Sequence, residues 1–157
     1  MIWAGILDNE LVGPFRIEDG VKMNSETYCA FLERSFLPWL KKKRLALREQ
    51  IILMQDNAPS HASKFSRGWL ESKGFVGSRL MDWPACSPDI NCIENFWSAL
   101  KQRVYANGKQ FSSKDALWKS LQDAARSFSK DEIAKYSQSM DDRLISVIEK
   151  KGGYISK

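Results

Sequence analysis

Apolar residues open the chain as a run, Ile2-Trp3-Ala4-Gly5-Ile6-Leu7, which ends at the polar break Asp8-Asn9-Glu10 before a second extended run over 11–17. Two β-prone runs around such a break predict a hairpin, and Gly13-Pro14 predicts an edge or irregular position in its second strand, since proline has no N–H for a ladder. Beyond Asn24-Ser25, an N-cap signal, Tyr28, Phe31, Leu32, Phe36 and Leu40 recur at three- and four-residue steps. That period predicts a helix, with Pro38 as its kink or end. Ile51-Ile52-Leu53-Met54 is short, wholly apolar and bounded by polar residues, the pattern of a buried strand. A helix over 61–72 with Phe65, Trp69 and Leu70 inward, a stop near Gly74 and a short strand over 75–81 follow.

Ser87-Pro88 predicts a further helix with proline at its first position, where the missing N–H costs nothing. Its apolar stripe is Ile90, Ile93, Trp97, Leu100 and Val104. Ser112 opens another helix, and Ser129 with Glu132 forms a capping box for the last. Strand pair, helix, buried strand, helix, strand and then helices is an α+β or mixed α/β order, without internal repeats.

Composition narrows the function classes. At 157 residues and 43% apolar content the chain suits one core, so residues 1–157 are read as one domain or part of one. A net charge of +5 permits a polyanionic partner, but no third of the chain is strongly basic. The 3 cysteines make no C-x-x-C pair, so neither a disulfide framework nor a zinc site is written, and a reducing compartment is expected. No apolar stretch approaches a membrane span and the first residues lack a signal-peptide pattern, so no membrane partner is expected.

Two carboxylates have settings of interest. Asp56 follows the apolar run 51–54, where a strand end would fix its backbone and open it to a cleft; a turn-capping aspartate is the plain alternative. Glu94 shares a helix face with Asn91, Ser98 and Lys101 beside the apolar stripe, and a solvated helical glutamate is the plain alternative there. Taken together they point to phosphodiester chemistry, in which divalent ions held by carboxylates neutralise the attacking and leaving oxygens. Hard oxygen ligands without a His or Cys cluster favour Mg2+ or Mn2+. A third carboxylate is needed, and Asp8, Asp82 and Asp89 lack an equivalent strand-end setting.

The segment Gln55-Asp56-Asn57-Ala58-Pro59-Ser60-His61 resembles the Q-D-N-x-x-x-H motif of mariner/Tc-type DNA transposases. The stretch from Asp82-Trp83-Pro84 through Ser87-Pro88-Asp89-Ile90-Asn91-Cys92-Ile93-Glu94 to Trp97 resembles their D-W-P-x-x-S-P-D-L-N-P-I-E-x-x-W motif. Residues 1–5 look like the family's V-W-G strand, and Ser139-Met140-Asp141-Asp142-Arg143-Leu144 looks like its S-M-x-x-R helix. The resemblance implies an RNase H-like fold, a mixed sheet flanked by helices. It implies Asp56 and Glu94 as two of three catalytic, metal-holding acids, with Mg2+ or Mn2+ as cofactor. Asn57, His61 and Asn91 are near-site residues on the same motifs. His61 is expected to pack or hydrogen-bond rather than ligate.

The implied activity is cleavage of one strand at the transposon end followed by strand transfer. Its partners would be terminal inverted repeats and target DNA, with a homodimer left open and the nucleus as the place of action. The family's first aspartate lies on a strand before V-W-G, so a catalytic domain lacking that strand, and lacking the N-terminal helix-turn-helix region, is expected here. Such a chain alone is expected to be inactive, and an inactive remnant binding DNA or protein is the alternative. The interval from Asp56 to Glu94 exceeds the commonest family spacing, with the surplus expected over 74–79, and Cys92 replaces the motif proline. Candidates for DNA contact are Trp83, next to Pro84, together with Lys101 and the tetrad Lys41-Lys42-Lys43-Arg44, which a solvated helix face explains equally well.

Overall fold

The computed structural model describes residues 1–155, which form two compact units: Met1 with 17–87, and 2–16 with the residues from 88 onward.

In the second unit β1 (Ile2–Leu7) pairs antiparallel with β2 (Glu10–Arg16), with Ile2 opposite Arg16, Trp3 opposite Phe15 and Leu7 opposite Glu10. The register slips between Trp3 and Gly5, opposite the segment that carries Gly13-Pro14. Gly13 sits at φ +90, and a Cβ there would lie 3.0 Å from the Phe15 nitrogen and 3.2 Å from the Trp3 carbonyl oxygen, so only glycine fits the bulge. The alternate residues Ile2, Ala4 and Ile6 face the core made by Phe96, Leu100, Val104, Leu121, Ala125 and Ile133. Those six come from α6 (Ile93–Val104), α7 (Lys114–Arg126) and α8 (Lys130–Glu149).

The capping box expected on α8 is present: the Ser129 hydroxyl accepts from the Glu132 N–H, and the Glu132 carboxylate accepts from the Ser129 N–H. The N-cap of α7 is Ser113 rather than the expected Ser112. Arg103 joins α6 to α8 by donating to Ser127 Oγ at 2.9 Å and to Glu132, with its guanidinium 3.6 Å above the Phe128 ring.

In the first unit α1 (Ser25–Arg34) starts at a capping box between Asn24 and Thr27, and buries Tyr28, Cys29, Phe31 and Leu32. The helix breaks at Ser35, before Pro38. α2 (Phe36–Lys41) then holds Pro38 in its first turn, where no intrahelical partner is required for the absent N–H. α3 (Leu45–Gln50) has no buried residue and so no apolar period to announce it. The helix expected over 61–72 is two pieces, α4 (Pro59–Ala62) and α5 (Lys64–Ser72), because Ser63 is extended and caps α5 with its hydroxyl. Leu70 is fully buried as expected, Ser66 is the other buried residue of α5, and Phe65 points outward.

The strands expected over 51–54 and 75–81 reduce to one parallel bridge, Leu53 to Leu80. The Leu53 N–H donates to the Arg79 carbonyl at 2.8 Å, and the Met81 N–H donates to the Leu53 carbonyl at 2.9 Å. The pairing stops there for a physical reason. Residues Gly77–Arg79 form a 3-10 turn, and the Arg79 guanidinium donates to the carbonyls of Ile51, Gly74 and Arg48, of which Ile51 is an acceptor that a longer ladder would use. Among the described residues no helix is long and apolar enough to cross a membrane.

Candidate active site

Asp56 belongs to the first unit and Glu94 to the second, and each has its own local setting.

Asp56 lies three residues past the Leu53 bridge, so its backbone leaves a pinned main chain and enters the loop before α4. Its Oδ1 accepts from the Ala58 N–H at 3.1 Å and meets His61 Nδ1 at 2.6 Å. The side chain is nonetheless 55% exposed, against 21% for His61. The His61 ring packs on Tyr28, with centroids 4.3 Å apart. The Tyr28 hydroxyl in turn donates to Gln55 Oε1 at 2.8 Å, and Gln55 Nε2 donates to the His61 carbonyl at 3.4 Å. Tyr28, Gln55 and His61 thus close a loop of contacts around one oxygen of Asp56. Asn57 uses its amide elsewhere, donating to the Trp83 carbonyl at 2.7 Å and fastening 55–57 to the D-W-P segment.

A cavity of about 240 Å³ opens beside Asp56, with Gln55, Asn57, Arg67, Glu71 and Asp82 among its polar walls. Arg67 and Asp82 approach to 3.9 Å across it. Asp56, Glu71 and Asp82 against the single guanidinium of Arg67 make this space acidic.

The helix expected from Pro88 starts five residues later, at Ile93. Local side-chain bonds compete with helix over 88–92. Asp89 Oδ1 accepts from the Ile90 N–H at 3.2 Å, Asn91 Oδ1 accepts from the Ile93 N–H at 3.4 Å, and the Asn91 carbonyl accepts from the Glu94 N–H at 3.1 Å. Cys92, where the motif has proline, is the residue before α6 and makes no side-chain cap. Burial raises its thiol pKa, and the positive field of Arg143 opposes that rise. Glu94 occupies the first turn of α6, half-buried, where the helix dipole favours a carboxylate. The expected stripe holds for Ile90, Leu100 and Val104, while Ile93 and Trp97 are partly covered and Phe96, not expected, is fully buried.

The DNA-contact candidates divide. Lys41, Lys42 and Arg44 are exposed, Lys43 places its ammonium 4.6 Å over the Trp39 ring, and Lys101 is exposed on α6. Trp83 is 8% exposed, the one buried tryptophan among the described residues, so stacking on a base would require its ring to be uncovered. Sequence reasoning missed Tyr28 as more than a core position, because its apolar period conceals the hydroxyl. It also missed the pairing of Asp89 with Arg143, which lie 54 residues apart.

The comparisons agree on one family. A model described as DDE superfamily endonuclease matches residues 3–118. The Tc3 transposase of Caenorhabditis elegans is 36% identical over 135 residues, covering 86% of this chain and 39% of that protein. The Tc1 transposase of the same organism is 31% identical over 157 residues, covering 100% of this chain and 54% of its own. The chain thus spans about half the length of these relatives or less. Among solved structures, the catalytic domain of the Mos1 mariner transposase superposes with a TM-score of 0.79 at 18% identity, over 95% of this chain and 72% of that one. The Mos1 catalytic domain with Raltegravir and Mg gives 0.80 at 19% identity, over 95% and 73%. At that identity the likeness is one of fold, and it supports the RNase H-like class, although among the described residues the expected mixed sheet is a two-stranded antiparallel hairpin and one parallel bridge.

Proposed function

Because the chain belongs to the DDE superfamily endonucleases and is related along its length to Tc-type transposases, we propose that it is part of a transposase catalytic domain in which Asp56 and Glu94 hold the metal. The observation that carries this is the setting of Asp56: an exposed carboxylate just past a pinned bridge, with one oxygen held by His61.

The donors fit Mg2+ or Mn2+ in kind, since both are hard carboxylate oxygens. They fall short in number. Among the described residues no group of three His, Cys, Asp or Glu side chains is set to hold a metal ion. As part of this proposal the third carboxylate is supplied from elsewhere in the protein, and this stretch by itself is expected not to cut DNA.

In the proposed reaction water attacks the phosphorus at the transposon end and the bond to the 3′ oxygen breaks, leaving a 3′-hydroxyl and a 5′-phosphate. That hydroxyl then attacks a target phosphodiester and displaces the target's own 3′ oxygen. Bound divalent ions supply charge neutralisation on the attacking and leaving oxygens. Asp56 is held in one orientation by His61, and Asn57 ties the loop to the D-W-P segment through its amide N–H. DNA ends and target DNA are the proposed partners, and the nucleus is the proposed place of action.

Binding of a DNA end measured with and without Mn2+ tests the assignment. Mn2+ should tighten binding by the wild-type chain and do nothing for Asp56→Asn or Glu94→Gln, whereas indifference to Mn2+ in all three contradicts it. Nicking by the 157-residue chain, abolished in Asp56→Ala, would overturn the need for an outside carboxylate.

A further inference from the structure

Asp89 is the one buried carboxylate among the described residues, at 7% exposure, and both of its side-chain oxygens bond to main chain. Its Oδ1 accepts from the Ile90 N–H and its Oδ2 accepts from the Ile155 N–H at 2.9 Å. Its carbonyl accepts from the Arg143 guanidinium at 2.5 Å, and Arg143 Nε donates one turn back along α8 to Ser139 Oγ at 3.0 Å. The chain beyond α8 is shaped to deliver Ile155. Lys151 at φ 52 and Gly152 at φ 86 reverse its direction, the Gly152 N–H returns to the Val147 carbonyl, and Lys150 Nζ donates to the Tyr154 carbonyl. Ile155 itself is buried.

We propose that Asp89 and Arg143 are positioning residues for Glu94, clamping the loop that launches α6 between α8 and the C-terminal segment. This rests on the assignment of Glu94 above. The loop needs such an anchor because it replaces the first turn of a helix. Residues 88–92 are turn and loop rather than helix, and Cys92 contributes no side-chain cap, so contacts from outside the helix help fix the start of α6. Both partners lie on the motifs singled out in the sequence, S-P-D and S-M-x-x-R. A carboxylate is a stronger acceptor for an N–H than a neutral group is, and a guanidinium donor to a main-chain oxygen is likewise a charge-assisted bond.

The test compares Arg143→Met, which keeps the apolar stem and removes every donor, with Arg143→Lys, which restores one. Amide hydrogen exchange over 90–95 should quicken about ten-fold in Arg143→Met and recover substantially in Arg143→Lys, while α7 stays at wild-type rates. Mn2+ affinity should fall with the same rank order. Unchanged protection at 90–95, or a uniform rise across α6, α7 and α8, overturns the clamp. Exchange is read without metal, so the two claims separate. Quickened exchange in a chain whose wild type binds no Mn2+ sinks the metal role proposed for Glu94 alone, and ordinary Mn2+ binding with unmoved protection sinks the clamp alone.

Discussion

His61 places Nδ1 2.6 Å from Oδ1 of Asp56 while its ring rests on Tyr28. The imidazole is thereby fixed on two sides, and it fixes one carboxylate oxygen in turn. Groups that orient a ligand in this way matter nearly as much as the ligand. His61→Ala is expected to weaken Mn2+ binding by about ten-fold, measured by calorimetric titration, because Asp56 regains its rotamer freedom. Affinity equal to wild type would show that the pairing is incidental.

The second unit turns on Phe96, which has no exposed surface and touches Trp97, Phe128 and Tyr136 ring to ring. Phe96→Ala should destabilise the fold by about 3–5 kcal/mol in urea unfolding, through forfeited transfer energy and the cavity left behind. Phe96→Leu should cost clearly less.

Most of the second unit was legible in the sequence, and the first unit less so. The hairpin, the α8 capping box and the buried Leu100 and Val104 follow from period and caps, which are local signals. The run 51–54 carries the same local signal as a strand, yet whether a strand forms depends on what lies alongside, and there Arg79 takes the Ile51 carbonyl. α6 starts later than its pattern predicts for a related reason: Asp89 and Asn91 offer the backbone closer partners than a helical turn does. Asp56, Glu94, Gln55 and Arg143 all stand on recognisable motifs, but what Gln55 and Arg143 touch, like the role of Tyr28, depends on contacts across the fold that no window of sequence contains.

Acid stability should depend on Glu132. Its pKa is lowered chiefly by the hydrogen bond from the Ser129 N–H, with Arg103 adding to the effect. A carboxyl lowered on folding contributes stability that is complete above its unfolded pKa and is lost as pH falls through the folded value. Thermal melts from neutral pH down through the carboxylate range should therefore show a steeper loss in wild type than in Glu132→Gln, with the two converging at the acid end. Parallel curves would contradict this.

Trp83 and the basic tetrad make opposite predictions for DNA. Trp83 is buried, so a Trp83→Phe chain that keeps its fold should bind DNA as wild type does. Replacing Lys41, Lys42 and Arg44 with alanine should lower affinity on all sequences alike and flatten its salt dependence by about 0.9 in log–log slope for each phosphate left unneutralised. Strong DNA-dependent quenching assigned to Trp83 would reverse the first of these.

The central proposal is that Asp56 and Glu94 hold the metal, and an anomalous difference map from crystals soaked in Mn2+ addresses it most directly. The account predicts a peak bonded at about 2.1 Å to a carboxylate oxygen of each residue, absent in Asp56→Asn crystals. A peak held by Glu71 and Asp82 alone, or no peak at either Asp56 or Glu94, would contradict it.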